Sequence, residues 1–352
     1  MSSARAAEPA PASRHRTALL PLCLLAVGVL AGVVTPGYIG FIPVRAAGMA
    51  IAALSLTVTY GRGGMLTLCP MSFVAVGGWT MSLLSASGRL PFGANVLLAG
   101  LLTVPVGVVA ATLALRLRGA YLAVTTFAFA HAFTGMLSRR PFQKAVPRPL
   151  GFRSDRGYFL LSVAVLFALA WGLSLIDRSL IGHRWTMVRV SERAGAAVGL
   201  SVPWVKLQAF AAGAFVAGVG GAMMAARFGT LQAGDFNPTA SLLLISACIM
   251  AGCRGLTGPI LAGLVLTVAP QVIDRLIAHQ GTMEIVFGIG AVAVLARRSD
   301  GLAAMLPWTD RLKWPARQLR ASPSATFALT AASTDAGPAL RVRGSSTPSP
   351  AS

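Results

Sequence analysis

Residues that could carry proton or charge chemistry are scarce within the apolar stretches of this 352-residue chain. His131 is the clearest of them, and Asp274, Arg275 and Glu284 lie near the ends of apolar stretches. A charge at the centre of a membrane helix costs about 2.5 to 3.5 kcal/mol on insertion scales, so such residues tend to mark function. All 10 acidic residues fall in loops, in tails or near predicted helix ends. The pattern therefore argues against a carboxylate relay and against transport powered by protons or sodium.

Motifs for catalysis and for nucleotide binding are absent from the sequence. It contains no GxxxxGK[ST] phosphate loop, no HExxH and no GxSxG. Its four cysteines form neither a CxxC pair nor a Cys/His metal spacing, which favours small buried side chains. We therefore predict no cofactor and no metal in this chain, and no enzyme activity of its own. A stand-alone channel or membrane enzyme remains the less favoured alternative, because His131 would act without an evident carboxylate partner.

The composition indicates which elements must position these residues. The chain is 55% hydrophobic and 11% charged, whereas soluble domains carry about a quarter charged residues. Apolar stretches of about 20 residues recur along it, which predicts an all-α integral membrane protein with about ten transmembrane helices, some of them broken. The transmembrane domain is predicted over residues 17–297, between disordered tails at 1–16 and 298–352. The predicted spans are residues 17–34, 43–60, 65–86, 94–115, 120–137, 158–176, 206–226, 239–251, 256–273 and 282–296.

The strongly basic balance, a formal net charge of +20, sets the predicted orientation. Most of the lysines and arginines fall in tails and in alternate loops, where they meet anionic lipid and fix topology, so we predict no nucleic-acid partner. Placing both termini in the cytoplasm also places the loop at 178–206 there. The basic loop at 139–157 then lies outside. Either it is a docking surface, which we favour, or the count after it is wrong by one span.

The loop at residues 178–206 carries the signals of a short helix. Ser191 can cap its first turn, Glu192 lies near its positive end, and Gly199 allows the chain to turn with positive φ. Ser201 and Pro203 are start signals for the next helix. A small-residue helix between two spans could dock another subunit or be an ordinary solvated connection. The candidate docking residues are Ser191, Glu192, Arg193, Ala194, Ala197 and Gly199.

Four blocks of sequence resemble one known family in their order. They are residues 64–80, GAYLAVTTFAFA at 119–130, SERAGAAVGLSVPWVKLQAF at 191–210 and GCRGLTGPILAG at 252–263. Across residues 61–275 the chain is similar to the M-type permease subunit of bacterial branched-chain amino acid ABC importers. The resemblance implies an inner-membrane permease that pairs with a homologous permease, two ATPase subunits and an extracytoplasmic substrate-binding protein. It also implies that residues 178–206 form the cytoplasmic coupling loop.

Departures from the family pattern leave the substrate open. Residues 139–152 read RRPFQKAVPRPLGF where the family has a Thr-Gly-Gly run, the family's paired glycines are replaced around residues 251–254, and His131 takes a place often held by an acidic or amide residue. Branched-chain or related amino acids are the favoured cargo. Urea, short amides or a sugar are the alternative.

Two segments rich in Gly and Pro, residues 61–70 and 252–259, indicate where a pathway could run. Paired interruptions in the two halves of a transporter are typical of discontinuous helices at a pathway, although they also mark ordinary helix ends. Polar residues after Gly119 could line the same cavity or bond neighbouring helices. The candidate pathway residues are Gly64, Pro70, Thr125, Thr126, His131, Gly258 and Pro259.

Small residues also form stripes at helical spacing, which predicts close helix packing and favours pairing with a second permease. These residues are Ala214, Ala217, Gly218 and Gly221, and earlier in the chain Gly28 and Gly32.

Overall fold

The computed structural model of the chain describes residues 41–88, 90–114, 120–139, 155–229, 233–253, 257–276, 285 and 288–290. Within these ranges every regular element is helical and there is no strand. The predicted first span, both predicted tails, residues 140–154 of the basic loop and most of the predicted last span lie outside the described residues.

Ten α-helices follow one another in the described ranges. They are α1 Phe41–Leu56, α2 Pro70–Ser87, α3 Phe92–Ala114, α4 Ala120–Ser138, α5 Asp155–Arg178, α6 Leu180–Val190, α7 Glu192–Ala197, α8 Val202–Phe228, α9 Pro238–Ala251 and α10 Thr257–Leu276. A π-helical turn, Thr57–Arg62, continues α1, and a 3₁₀ turn, Ala233–Phe236, precedes α9. We call residues 57–62 the π-turn and residues 63–69, which have no regular structure, the broken segment.

Four described helices are long and apolar enough to cross a membrane, over Val44–Arg62, Phe92–Thr112, Gly157–Arg178 and Val202–Phe228. Two shorter apolar helices cover Pro238–Ala251 and Gly258–Ala269. The all-α membrane architecture predicted from composition is thus confirmed.

The structure differs from the sequence prediction in the start of one helix and in the presence of another. The third span was expected from residue 65, but α2 begins at Pro70, which occupies the first turn. A proline has no N–H to donate and its ring restricts the residue before it, so the helix begins at Pro70 and does not run through it. The coupling loop also contains α6, which was not predicted. Its sequence, LIGHRWTMVRV, mixes basic and apolar residues and so lacks the long apolar run that identified the other helices.

The long helix α8 is the centre of the packing, and its neighbours are α1, α2 and α3. A Cβ atom at Gly221 would overlap the carbonyl oxygen of Val74 in α2, and one at Gly77 would overlap the backbone of Gly218. The small-residue stripe of α8, buried throughout, therefore lets the helices of this subunit approach closely. The expectation that this stripe pairs with a second permease was wrong, because the face is already covered.

Polar contacts fix the other helices against this centre. The Tyr158 hydroxyl in α5 donates to the Met223 carbonyl of α8 at 2.6 Å, with the tyrosine 1% exposed. The Thr134 hydroxyl in α4 donates to the Phe236 carbonyl at 3.2 Å. In lipid such bonds supply orientation that apolar packing alone does not.

Candidate functional site

The short helix predicted in the coupling loop is present as α7. The Ser191 hydroxyl accepts a hydrogen bond from the Ala194 amide at 3.2 Å, as a cap of the first turn should. Gly199 has φ +85°, and the Leu200 amide donates to the Gly195 carbonyl at 3.0 Å. The six-residue helix therefore begins and ends at the residues that the sequence indicated.

One side of α7 packs on the subunit and the other is open. Gly195 is buried against Val188 of α6, whereas Arg193, Ala194 and Ala197 are exposed. Apolar residues continue this open surface: Val190 is 68% exposed and Val198 69% exposed.

An ion pair holds α7 to the start of the next membrane helix. The Lys206 ammonium of α8 donates to the Glu192 carboxylate at 2.6 Å, with side-chain exposures of 13% and 35%. Glu192 also lies in the first turn of α7, where negative charge is favoured. α7 is thus joined to the central helix of the bundle by a charged contact as well as by the chain.

The first Gly/Pro-rich segment is a true interruption at the end of α1. The Met65 amide donates to the Thr59 carbonyl and the Gly63 amide to the Val58 carbonyl, spacings wider than those of an α-helix. Gly64 has φ +68°. The broken segment follows, with Met65 4% exposed and Thr67 2% exposed, whereas Gly64 is exposed. Most of its irregular backbone is thus in contact with protein, which is where such backbone is tolerated at membrane depth.

Side chains from other helices satisfy the backbone of this interruption. The Leu68 amide donates to the Thr126 hydroxyl of α4 at 3.0 Å. The Met71 amide, in the first turn of α2, donates to the Ser241 hydroxyl of α9 at 3.3 Å. The Ser241 hydroxyl replaces the intrahelical partner that a helix start lacks, and the Thr126 hydroxyl gives a partner to the irregular backbone before it.

The second Gly/Pro-rich segment meets the first. A Cβ atom at Gly61 would overlap the carbonyl oxygen of Cys253, so the two main chains are in direct contact. Gly252 has φ +99°, and the buried Gly258 and Pro259 lie in the first turn of α10. The two interruptions are therefore brought to one end of the bundle, next to the coupling loop.

The polar pathway candidates on α4 divide into two groups. Thr126 is 2% exposed and bonded to the broken segment. The Thr125 hydroxyl does not face the broken segment and donates to the Tyr121 carbonyl of the same helix at 2.9 Å. His131 is exposed, and its ring forms a T-shaped contact with the Phe127 ring, with the ring centroids 4.9 Å apart. The structure thus joins Thr126 to the interruption, leaves Thr125 half-buried and without a contact to it, and places His131 on the outer surface of the described bundle.

Three charged residues at this end were not singled out from the sequence. The Arg62 guanidinium and the Asp177 carboxylate form a bidentate pair, and the Arg189 guanidinium donates to the Gly61 carbonyl at 2.6 Å. In the sequence they are isolated charges at helix ends, which serve equally well as topology signals.

Three of the four cysteines lie in the described residues. Cys69, Cys248 and Cys253 are buried free thiols, the last two with their sulfur atoms 2.8 Å apart. Among the described residues no group of three or more His, Cys, Asp or Glu side chains could hold a metal ion.

Replacing Thr126 with Val should destabilise the protein by about 1 kcal/mol, because the part-buried Leu68 amide would lose its acceptor. Thr125→Val is the matched control: it makes the same change one residue earlier, where the hydroxyl is bonded only within its own helix. Thermal unfolding in detergent should show a lower midpoint for the first variant alone. Equal midpoints would mean that Thr126 does not support the broken segment.

The chain is similar in sequence to one protein family and to two curated proteins. Residues 38–295 match the family described as branched-chain amino acid transport system / permease component. Two curated relatives are the high-affinity branched-chain amino acid transport system permease proteins LivM of Salmonella typhimurium and Escherichia coli. Each is 29% identical over 290 residues, covering 72% of this chain and 67% of the relative. No solved structure matches the chain.

Proposed function

Because the chain belongs to the family of branched-chain amino acid transport system permease components, we propose that it is the membrane-spanning subunit of an ATP-driven importer. Its proposed cargo is a branched-chain or related amino acid. The ATP would be bound and hydrolysed by two separate ATPase subunits, and the cargo delivered by an extracytoplasmic binding protein. A homologous permease would complete the membrane part.

The observation that carries this proposal is the open face of α7. A six-residue helix with small exposed side chains lies between two membrane-crossing helices and is held to one of them by the pair of Glu192 with Lys206. Exposed apolar surface of this kind, around Val190 and Val198, is typical of a contact with another protein. ATP binding would close the ATPases and push α7, switching the bundle between outward and inward access.

The proposed orientation places this end of the bundle in the cytoplasm of a bacterium, with both termini on the same side. The contacts of Arg62 with Asp177 and of Arg189 with Gly61 support it, because they bring two loops of the predicted cytoplasmic set together. The excess of basic residues in those loops points the same way.

The substrate pathway is proposed to run along the outer face of α4, between this chain and its homologous permease. His131 is exposed and Thr125 is half-buried there. A polar histidine is poorly placed against lipid, so a protein-lined, wet surface suits it better. The interruption at Gly64, which is exposed, and Pro70, which is buried, together with Gly258 and Pro259, would form the inner end of this pathway.

Uptake by the reconstituted complex tests the proposal. With ATP at the face that carries α7, vesicles supplied with binding protein should accumulate labelled leucine, isoleucine or valine. A maleimide should label Ala197→Cys only from that same face. Competition by urea, an amide or a sugar, with no competition by amino acids, would reassign the cargo. Uptake that needs neither ATPase nor binding protein would contradict the importer assignment.

A further inference from the structure

The feature that the proposed function leaves unexplained is the set of contacts between the coupling loop and the broken segment. Docking to an ATPase requires only the exposed face of α7. Yet two residues of the coupling-loop side contact the π-turn, which precedes the broken segment: Asp177 at the end of α5 and Arg189 near the end of α6. We ask what these contacts transmit.

The strongest of them is the pair of Arg62 and Asp177. Arg62 Nε lies 2.5 Å from Asp177 Oδ1, and Arg62 Nη2 lies 2.7 Å from Asp177 Oδ2. Two parallel bonds fix the mutual orientation of the groups as well as their distance. The side chains are only 14% and 19% exposed, so water screens the pair weakly. Asp177 immediately precedes the coupling loop, and Arg62 is the last residue of the π-turn.

A second contact reaches the same turn from α6. The Arg189 guanidinium donates to the Gly61 carbonyl at 2.6 Å, at a helix end where carbonyls lack intrahelical partners. The aliphatic part of Arg189 also covers Gly64, where an added Cβ atom would lie 2.8 Å from Arg189 Cγ. The Arg189 side chain thus contacts residue 61 through its guanidinium and residue 64 through its methylene groups.

The turn that receives these contacts has no room to absorb a displacement. Gly61 is packed against the main chain of Cys253, and a Cβ atom at Gly63 would lie 2.7 Å from the Thr59 carbonyl and 3.2 Å from Ala209 Cβ of α8. Close-packed interfaces change between discrete arrangements and do not compress gradually. π-helical turns are themselves frequent at functional sites. Movement of the coupling loop would therefore be passed to the broken segment.

We propose that the Arg62–Asp177 pair and the Arg189–Gly61 bond are the mechanical link between the ATPase-driven movement of the coupling loop and the conformation of the broken segment at the inner end of the pathway. These are positioning residues, since they touch neither nucleotide nor substrate. The inference rests on the proposed function, and it adds the contacts through which movement of the ATPase subunits would reach the broken segment.

The test uses the complete reconstituted complex. Asp177→Asn, Arg62→Gln and Arg189→Met should each reduce the stimulation of ATP hydrolysis by loaded binding protein about tenfold or more, with basal hydrolysis and assembly unchanged. The double variant Arg62→Asp/Asp177→Arg should recover a large part of the stimulation. Arg45→Gln is the matched control, because it removes an exposed positive charge from the opposite end of the same helix, and it should behave as wild type.

A second readout follows the broken segment itself. Cys69, which is fully buried at its end, would be left as the only thiol by Cys23→Ser, Cys248→Ser and Cys253→Ser. Its rate of reaction with a maleimide should change several-fold when ATP and loaded binding protein are added, and Asp177→Asn should remove that change. A nucleotide-insensitive rate in the parent complex would show that the segment does not move and would overturn the link.

Other outcomes separate the link from the proposed function. If the wild-type complex shows binding-protein-stimulated hydrolysis and Asp177→Asn keeps it within twofold, the link is wrong and the importer stands. Swapped charges that perform no better than the single variants would also overturn it, because the two residues would then not act as a pair. If wild type shows no stimulation at all, the importer assignment itself fails.

Discussion

Gly199→Val should abolish the stimulation of ATP hydrolysis by loaded binding protein, with a loss of at least tenfold. Gly199 closes α7 at φ +85°, a conformation that a β-branched residue adopts only under strain of about 1 to 3 kcal/mol. A helix of six residues has few contacts with which to offset that strain, so its last turn should open. The measurement is the hydrolysis rate of the reconstituted complex with and without loaded binding protein.

The same substitution should leave assembly intact, which makes the result specific. A Cβ atom at position 199 would meet no other atom within 4 Å, so no clash accompanies the strain. Gly199→Asn is the control, because asparagine tolerates the left-handed conformation and should retain most of the stimulation. Unchanged stimulation in Gly199→Val would remove the α7 terminus from the mechanism.

Gly221→Leu should prevent the permease from folding into a stable bundle. The added Cβ atom would overlap the Val74 carbonyl oxygen and lie 2.9 Å from the Gly78 amide nitrogen, both of which are backbone atoms of α2. Because neither can rotate away, α2 and α8 must separate. Overpacking usually costs about 1 to 3 kcal/mol, and the rigid backbone places this site at or above the upper end. Thermal unfolding and size-exclusion profiles in detergent would measure the loss.

Gly172→Leu in α5 is the matched control for that experiment. It makes the same change within a helix, at a position where an added Cβ atom meets nothing within 4 Å. We expect its unfolding midpoint to stay close to that of wild type. Equal destabilisation by the two substitutions would indicate a general intolerance of leucine for glycine, and not the close crossing of α2 and α8.

The N-cap and the C-terminal end of α7 could both be predicted from the sequence alone. Ser191 bonds the Ala194 amide and Gly199 adopts positive φ, both as the sequence predicted. The start of α8 at Val202 likewise follows the predicted signals at Ser201 and Pro203. These features depend on neighbours within a few residues, so local propensity determines them.

The site itself was predicted only in part, for a different reason. The two Gly/Pro-rich segments were predicted to be either interruptions at a pathway or ordinary helix ends, and nothing in either indicates that Gly61 would lie against Cys253. Thr125 and Thr126 are chemically identical neighbours, and the sequence could not tell which one faces the broken segment. That choice depends on how α4 is rotated against the rest of the bundle.

The sequence by itself determined that this is an all-α membrane protein of the branched-chain permease family, with a short capped helix between two spans and a chain broken near Pro70. Composition and apolar run length are sufficient for the membrane class, short-range signals for the helix and the break, and the resemblance of four motif blocks for the family. Only the tertiary structure decided that the small face of α8 is buried within the subunit and that Arg62 pairs with Asp177, 115 residues away. Such contacts depend on the packing of helices distant in sequence, and a charge or a glycine has the same local signature whichever helix it meets.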